Sequence, residues 1–176
     1  MSLLALIPAR GGSKEIFRKN IKLLNGKPLI KWTIDTAKKS KSIDRLVVST
    51  DDAEISEIAK KSGADVPFVR PAEISKDETP GIEPALHAIK KLPNYEWLLL
   101  LQPTSPLRNI HDIEGIIKFC KENNSPSAVS ISKVNEHPNH MYHKDDTFHL
   151  KPFVENRKEF TGGKNLPRYI LQMVLC

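Results

Sequence analysis

Residues 3–20 read LLALIPARGGSKEIFRKN. An apolar run ends at Pro8, the small residues Gly11, Gly12 and Ser13 follow, and Arg10, Lys14, Arg18 and Lys19 stand around them. Small residues let successive backbone N–H groups turn toward an anion, as in the concave nests that hold phosphate. Arg10, Lys14 and Lys19 beside such a bend supply full charges, enough for a triphosphate. A tight turn with solvated lysines accounts for the same spacing. Two standard phosphate loops are missing. The Walker pattern needs four residues between its glycines and then Gly-Lys-Ser/Thr, and the dinucleotide fingerprint needs G-x-G-x-x-G. No Ser–His or Cys–His constellation is apparent, so the chemistry on offer is positioning and charge neutralisation.

Other groups invite a reading and carry less. Asp51-Asp52 resembles a metal pair, but it precedes a helical pattern, where a carboxylate caps free N–H groups and meets the helix dipole. His137, His140, His143 and His149, with Asp145 and Asp146 nearby, lack the cysteines or regular spacing of a structural zinc site. They read as scattered members of a polar loop. Cys120 sits on an apolar helical face and reads as core. Cys176 is the second cysteine; the pair has no redox or metal spacing.

The elements that must position the opening loop alternate between strand and helix. Leu3 to Pro8 is a short strand, and Asn25-Gly26 a turn. Leu29, Ile30, Thr33, Ile34 and Ala37 recur at helical spacing. Arg45 to Thr50 predicts a buried strand. A helix follows through Ile55, Ile58 and Ala59, ended by Ser62-Gly63. Val66 to Val69 predicts a short strand, Ile82 to Ile89 a helix, and Trp97 to Leu101 a strand covered on both faces. Another helix runs through Ile113, Ile116, Ile117 and Cys120, and Ala128 to Ile131 predicts a strand. From Lys133 to Asn165 the pattern dissolves into a polar stretch. This rhythm predicts an α/β fold with a mostly parallel sheet and helices on both faces. In such sheets ligands bind at the carboxyl ends of the strands, which selects the loop after the first strand. The chain has 176 residues, and one domain over 1–176 is expected.

The net charge of +6 raises the question of nucleic acid. Much of the excess gathers near the start, at Arg10, Lys14, Arg18, Lys19, Lys22 and Lys27, while aromatic residues make up only 6%. A sustained basic stripe or stacking aromatics would mark a nucleic-acid surface, so a local pocket for a small anion fits better. No apolar run approaches the roughly 20 residues of a membrane span. The opening residues have no basic leader, so a cytoplasmic protein without a membrane partner is expected.

IPARGGSK followed by KN resembles the signature of the acylneuraminate cytidylyltransferases, the CMP-sialic acid synthetases. VVSTDD (47–52), VRPAEISKDET (69–79) and LLQPTSPLR (100–108) extend the resemblance in order and spacing, from about residue 3 to about residue 172. The resemblance implies a Rossmann-like, three-layer nucleotide-diphospho-sugar transferase fold. It implies a reaction in which CTP and a nonulosonic acid give the CMP-sugar and pyrophosphate with Mg²⁺. It places Arg10, Ser13, Lys19 and Asn20 at the nucleotide, beside the Gly11, Gly12 and Lys14 that the bend itself offers, with Lys19 and Arg10 balancing phosphate charge during transfer. Losing such a contact typically costs about a hundredfold in rate. Thr79 is expected to serve the base in place of a serine that some relatives carry where Gly81 stands. Gln102 falls where the family contacts both ligands, and His140, Lys164 and Arg168 fall near the sugar. The related Kdo cytidylyltransferases carry an acidic residue just after the strand before Gln102; Pro103-Thr104-Ser105 here resembles the sialic-acid branch.

Two departures stand out. Glu15 lies inside the cationic loop and would oppose a triphosphate if it pointed inward. After LPRYILQ the family continues with Asn-Gly-Ala, a further strand, a dimerising segment and a late aspartate pair that binds Mg²⁺. Here Met173-Val174-Leu175-Cys176 follows. A single-base deletion after the codon for Gln172 would convert the family's continuation into these residues. The expectation is a chain lacking the family's C-terminal segment, with its homodimer contacts in doubt, that binds CTP and turns over poorly. An inactive nucleotide-binding remnant and a nucleotidyltransferase for another sugar remain the alternatives.

Overall fold

In a computed structural model, residues 2–133, 141–144, 146–153 and 170–175 are described. The chain forms two compact units, Met1–Ala128 with Val174–Cys176, and Val129–Met173.

The first unit is built around strand β1 (Leu3–Pro8). Its residues alternate between two packed faces. Leu3, Ala5 and Ile7 enter a core with Val48, Leu99, Ile30, Ile34, Ile55 and Ile113. Leu4 and Leu6 enter a second core with Val47, Leu98, Leu100, Ala85 and Ala88. A strand apolar on both sides must lie between two layers, and here both layers are helical. On one side pack α1 (Leu29–Ala37), α2 (Ala53–Lys61) and α4 (Ile110–Glu122); on the other packs α3 (Glu83–Lys91). β4 (Arg45–Ser49) and β5 (Trp97–Leu100) flank β1 in parallel, in the order β4-β1-β5. Leu4 faces Arg45, and Leu3 faces Trp97. This is the expected α/β layering with a parallel sheet.

Local chemistry sets several element ends. Asn25 and Gly26, both at positive φ (49° and 75°), turn the small hairpin of β2 (Leu23–Leu24) and β3 (Lys27–Pro28). Two positive values in succession are what a two-residue hairpin turn requires. Asp52 caps α2 through the Ile55 N–H at 2.9 Å. The same helix ends at Gly63 (φ 88°), whose N–H reaches the Lys60 carbonyl while the Ala64 N–H reaches that of Ala59. That pair of bonds satisfies carbonyls the helix would otherwise leave bare. Asn109 and Asp112 form a reciprocal capping box on α4.

The predicted strand at Val66 to Val69 is reduced to two isolated parallel bridges, Val47 with Asp65 and Thr50 with Val69. In the second unit, part of the polar stretch pairs as an antiparallel hairpin of β7 (Tyr142–Lys144) and β8 (Leu150–Pro152). β6 (Ala128–Lys133) pairs with β9 (Ile170–Leu175). Among the described residues no helix is long and apolar enough to cross a membrane, and Cys120 is buried as expected.

Candidate nucleotide-binding cleft

β1 delivers the chain to its carboxyl end at Pro8, where the Ala9 N–H donates to the Ser49 carbonyl at 2.9 Å. Arg10 then leaves the sheet. The Gly11 N–H donates to Asp51 Oδ1 at 3.0 Å, and a Cβ on Gly11 would meet Asp52 Oδ2 at 2.8 Å. Glycine is therefore required by close approach to the start of α2. The Ser13 N–H donates to the Gly11 carbonyl at 3.0 Å, and Ser13 is buried. Arg18 adopts the left-handed region (φ 51°), uncommon for a residue with a side chain. Its Nη2 donates to Asp52 Oδ1 at 3.0 Å and to Glu54 Oε2 at 2.8 Å. A 3₁₀ turn, Lys19–Ile21, follows at once. Within it Asn20 is buried, and its Nδ2 donates to the Arg10 carbonyl at 2.9 Å. The loop is thus fastened to α2 at Gly11 and Arg18 and closed on itself by Asn20.

This loop walls an open cleft of about 240 Å³ together with residues 70–84 and the residues after β5. Arg10, Ser13, Lys19, Asn20, Thr79 and Gln102 line it together. Gly11, Gly12 and Lys14 stand outside the lining. Two of the three N–H groups of the glycine-serine bend are engaged within the protein, so the loop's charge reaches the cleft mainly through side chains. Glu15 is exposed and also outside the lining. His140, Lys164 and Arg168 lie outside the described residues.

Three charged lining residues escaped the sequence reading: Arg70, Lys76 and Asp77. Arg70 immediately follows the extended segment bridged to β4, and its N–H donates to the Thr50 carbonyl at 2.8 Å. It therefore stands just past the bridge to Thr50, at the carboxyl edge of the sheet where ligands of such folds bind. Its side chain is only 4% exposed, yet Nε and Nη2 make no hydrogen bond among the described residues. Asp51 Oδ1 lies 3.9 Å from Nη2. Burial pushes the Arg70 pKa down, the Asp51 carboxylate opposes that shift, and the positive charge of Arg10 adds to it. A buried guanidinium with idle donors beside a cleft is costly unless a ligand completes it.

Asp77 carries the only carboxylate in the lining among the described residues, against Arg10, Lys19, Arg70 and Lys76. It pairs with Arg10 and with Lys14, the latter at 2.7 Å. The Lys14 hydrogen bond holds the Asp77 pKa low against the opposing effect of desolvation, with Arg10 assisting. Thr79 closes the turn beside it by accepting the Lys76 N–H at 3.2 Å. On the third wall, the Arg108 guanidinium donates to the Gln102 carbonyl at 3.3 Å and fixes the chain where it leaves β5. The arrangement can bind an anion through converging cations, with two apolar prolines, Pro80 and Pro84, offering flat surface nearby.

A family described as Cytidylyltransferase matches residues 4–152. A CMP-N,N'-diacetyllegionaminic acid synthase from Legionella pneumophila is 38% identical over 142 residues, covering 78% of this chain and 61% of that protein. A pseudaminic acid cytidylyltransferase from Campylobacter jejuni is 44% identical over 113 residues, covering 62% of this chain and 49% of that one. The chain thus spans half to three fifths of the length of these two relatives. Among solved structures, a CMP:2-keto-3-deoxy-manno-octonic acid synthetase complexed with CTP shares the fold. Its TM-score is 0.67 at 16% identity, over 99% of this chain and 73% of that one.

Proposed function

The chain belongs to the cytidylyltransferase family, and from that premise we propose that it transfers a cytidylyl group from CTP to the anomeric hydroxyl of a nonulosonic acid. The CMP-sugar and pyrophosphate are the products. The observation that carries the reading is the convergence of Arg10, Lys19, Arg70 and Lys76 on one cleft at the carboxyl ends of β1 and β5. Those charges suit a nucleoside triphosphate. The legionaminic and pseudaminic relatives supply the sugar class.

The geometry supports a mechanism of placement. Asn20 holds the Arg10 backbone, and the left-handed Arg18 turns Lys19 toward the cleft, so both cations meet the phosphates from one short loop. The sugar hydroxyl attacks the α-phosphorus in line, and pyrophosphate leaves into this cationic surround. Charge spreads over the phosphoryl oxygens in that transfer, and fixed cations stabilise it without reorganising. Gln102, held at the strand end by Arg108, is positioned to orient the ligands. Thr79, Ser13 and the buried Arg70 line the remainder.

Mg²⁺ enters this proposal only as a companion of the nucleotide phosphates. Among the described residues no three His, Cys, Asp or Glu side chains converge as a metal site. The cleft carboxylate of Asp77 is occupied by two cations. Among the described residues these side chains do not form a ligand set for the ion.

The test is pyrophosphate release by the full chain with CTP, ATP, GTP and UTP, each with sialic, legionaminic and pseudaminic acids and Mg²⁺. Release confined to CTP and dependent on one of these sugars is expected. Release with another nucleotide or a different sugar class would overturn the substrate assignment. CTP binding without release from any pair would favour a nucleotide-binding role.

A further inference from the structure

Asp77 stands where a ligand's negative charge would be welcome. One carboxylate oxygen, Oδ1, holds the Arg10 guanidinium, and the other, Oδ2, holds the Lys14 ammonium at 2.7 Å. A bridging grip on two cations is what a phosphate oxygen pair would make in the same place. Arg10 and Asp77 both line the cleft, and both side chains are partly shielded, at 30% and 29% exposure. Lys14 is 83% exposed and bends inward to the same carboxylate. Asp77 lies in the short turn closed by Thr79 and exposed to solvent, not in a strand or helix, so its side chain can leave without disturbing the sheet.

Resting on the reading of this cleft as a phosphate site, we infer that Asp77 is a specificity-determining placeholder: its carboxylate occupies Arg10 and Lys14 until an anion of greater charge displaces it. The cost of breaking the two ion pairs falls on every ligand that claims Arg10. Once displaced, the carboxylate still faces the incoming charge from the same turn. A ligand with several charges recovers this cost through Arg10, Lys14, Lys19 and Arg70 together. A singly charged ligand replaces one carboxylate by another group of equal charge and gains little. A neutral nucleoside leaves the pairs untouched. Asp77 therefore sets a charge threshold and keeps the cleft from filling with small monoanions.

The experiment titrates pyrophosphate, CTP and neutral cytidine calorimetrically into the full chain and into Asp77→Asn, at one low ionic strength. Two exposed ion pairs are worth about fivefold in affinity together. Asp77→Asn is therefore expected to bind pyrophosphate about fivefold more tightly, CTP at least as much so, and cytidine with unchanged strength. Asp77→Ala, which removes the carboxylate without adding an amide donor, is expected to give the same ordering and guards against a folding defect in one variant. Unchanged or weaker pyrophosphate binding in both variants would overturn the placeholder, because the carboxylate would then be positioning Arg10 instead of opposing the ligand. Failure of all proteins to bind pyrophosphate would overturn it equally. The nucleotide reading is judged separately, by whether the unaltered chain prefers CTP over the other nucleoside triphosphates.

Discussion

Arg70 shows how a single side chain can be wrong for stability and right for a ligand. Its guanidinium is buried, Nε and Nη2 make no hydrogen bond among the described residues, Asp51 stands 3.9 Å off, and burial pulls its pKa down. Replacing a poorly compensated buried charge by an apolar group of similar length is often neutral or stabilising. Arg70→Met is therefore expected to leave thermal stability unchanged or raise it by about 1 kcal/mol. If the idle donors serve the nucleotide, the same change weakens CTP binding by roughly ten- to a hundredfold, the worth of a charge-assisted hydrogen bond. Paired melting and calorimetry check it; lower stability with unchanged CTP affinity would make Arg70 purely structural. Spacing drew attention to Arg10, Ser13 and Lys19 because they sit in one short run, and the family resemblance added Asn20; all four line the cleft. Spacing could not find what Gly11 does. Its N–H and its missing Cβ answer to Asp51 and Asp52, about 40 residues away, a pairing created by the parallel register of β1 and β4.

At the scale of elements, α2 is the brace of the cleft's loop. Asp52 caps it, and the same carboxylate receives Arg18. Burial alone would raise the Asp52 pKa, but the Ile55 N–H and the Arg18 guanidinium outweigh it and hold the value below the ordinary aspartate range. The folded chain thus gives up this proton more readily than the unfolded chain. The stabilisation is complete above the ordinary aspartate pKa and is lost as pH falls through the lower, folded value. Asp52→Ala is expected to cost about 1 kcal/mol at neutral pH, the usual worth of an N-cap, and to flatten this acid-dependent loss of stability. Because Arg18 keeps only Glu54 of its two carboxylate partners, the variant should also bind CTP more weakly. Urea titrations between pH 3 and 7 decide the matter; an unaltered acid profile would remove Asp52 from the account. The cap was legible because an aspartate before an apolar helical period has one dominant use. The hairpin of β7 and β8 was not, since its strands are exposed throughout and carry no apolar alternation. The segment at 66–69 shows the reverse: an apolar run that forms only isolated bridges beside β4.

For the whole molecule, the net charge of +6 was plain from composition, but its use depends on where the cations face. The cleft gathers four cations against one carboxylate. Exposed lysines outside the lining, such as Lys14, act through solvent, where salt screens them with a Debye length of about 8 Å at physiological ionic strength. A polyphosphate is therefore drawn by two components, a short-range one at the buried Arg70 and a long-range one from exposed lysines. Salt weakens the second far more than the first. CTP affinity is expected to fall several-fold between 0.05 and 0.5 M NaCl, then level off, while neutral cytidine shows no dependence. A nucleic-acid surface would behave differently: oligonucleotide binding would be lost by orders of magnitude over that range, and CTP would not compete with it. Calorimetric titrations of CTP, cytidine and a short oligonucleotide across the salt series separate the two. Salt-independent CTP binding would place the recognition wholly in buried contacts, and CTP-resistant oligonucleotide binding would assign the positive charge to a nucleic-acid partner.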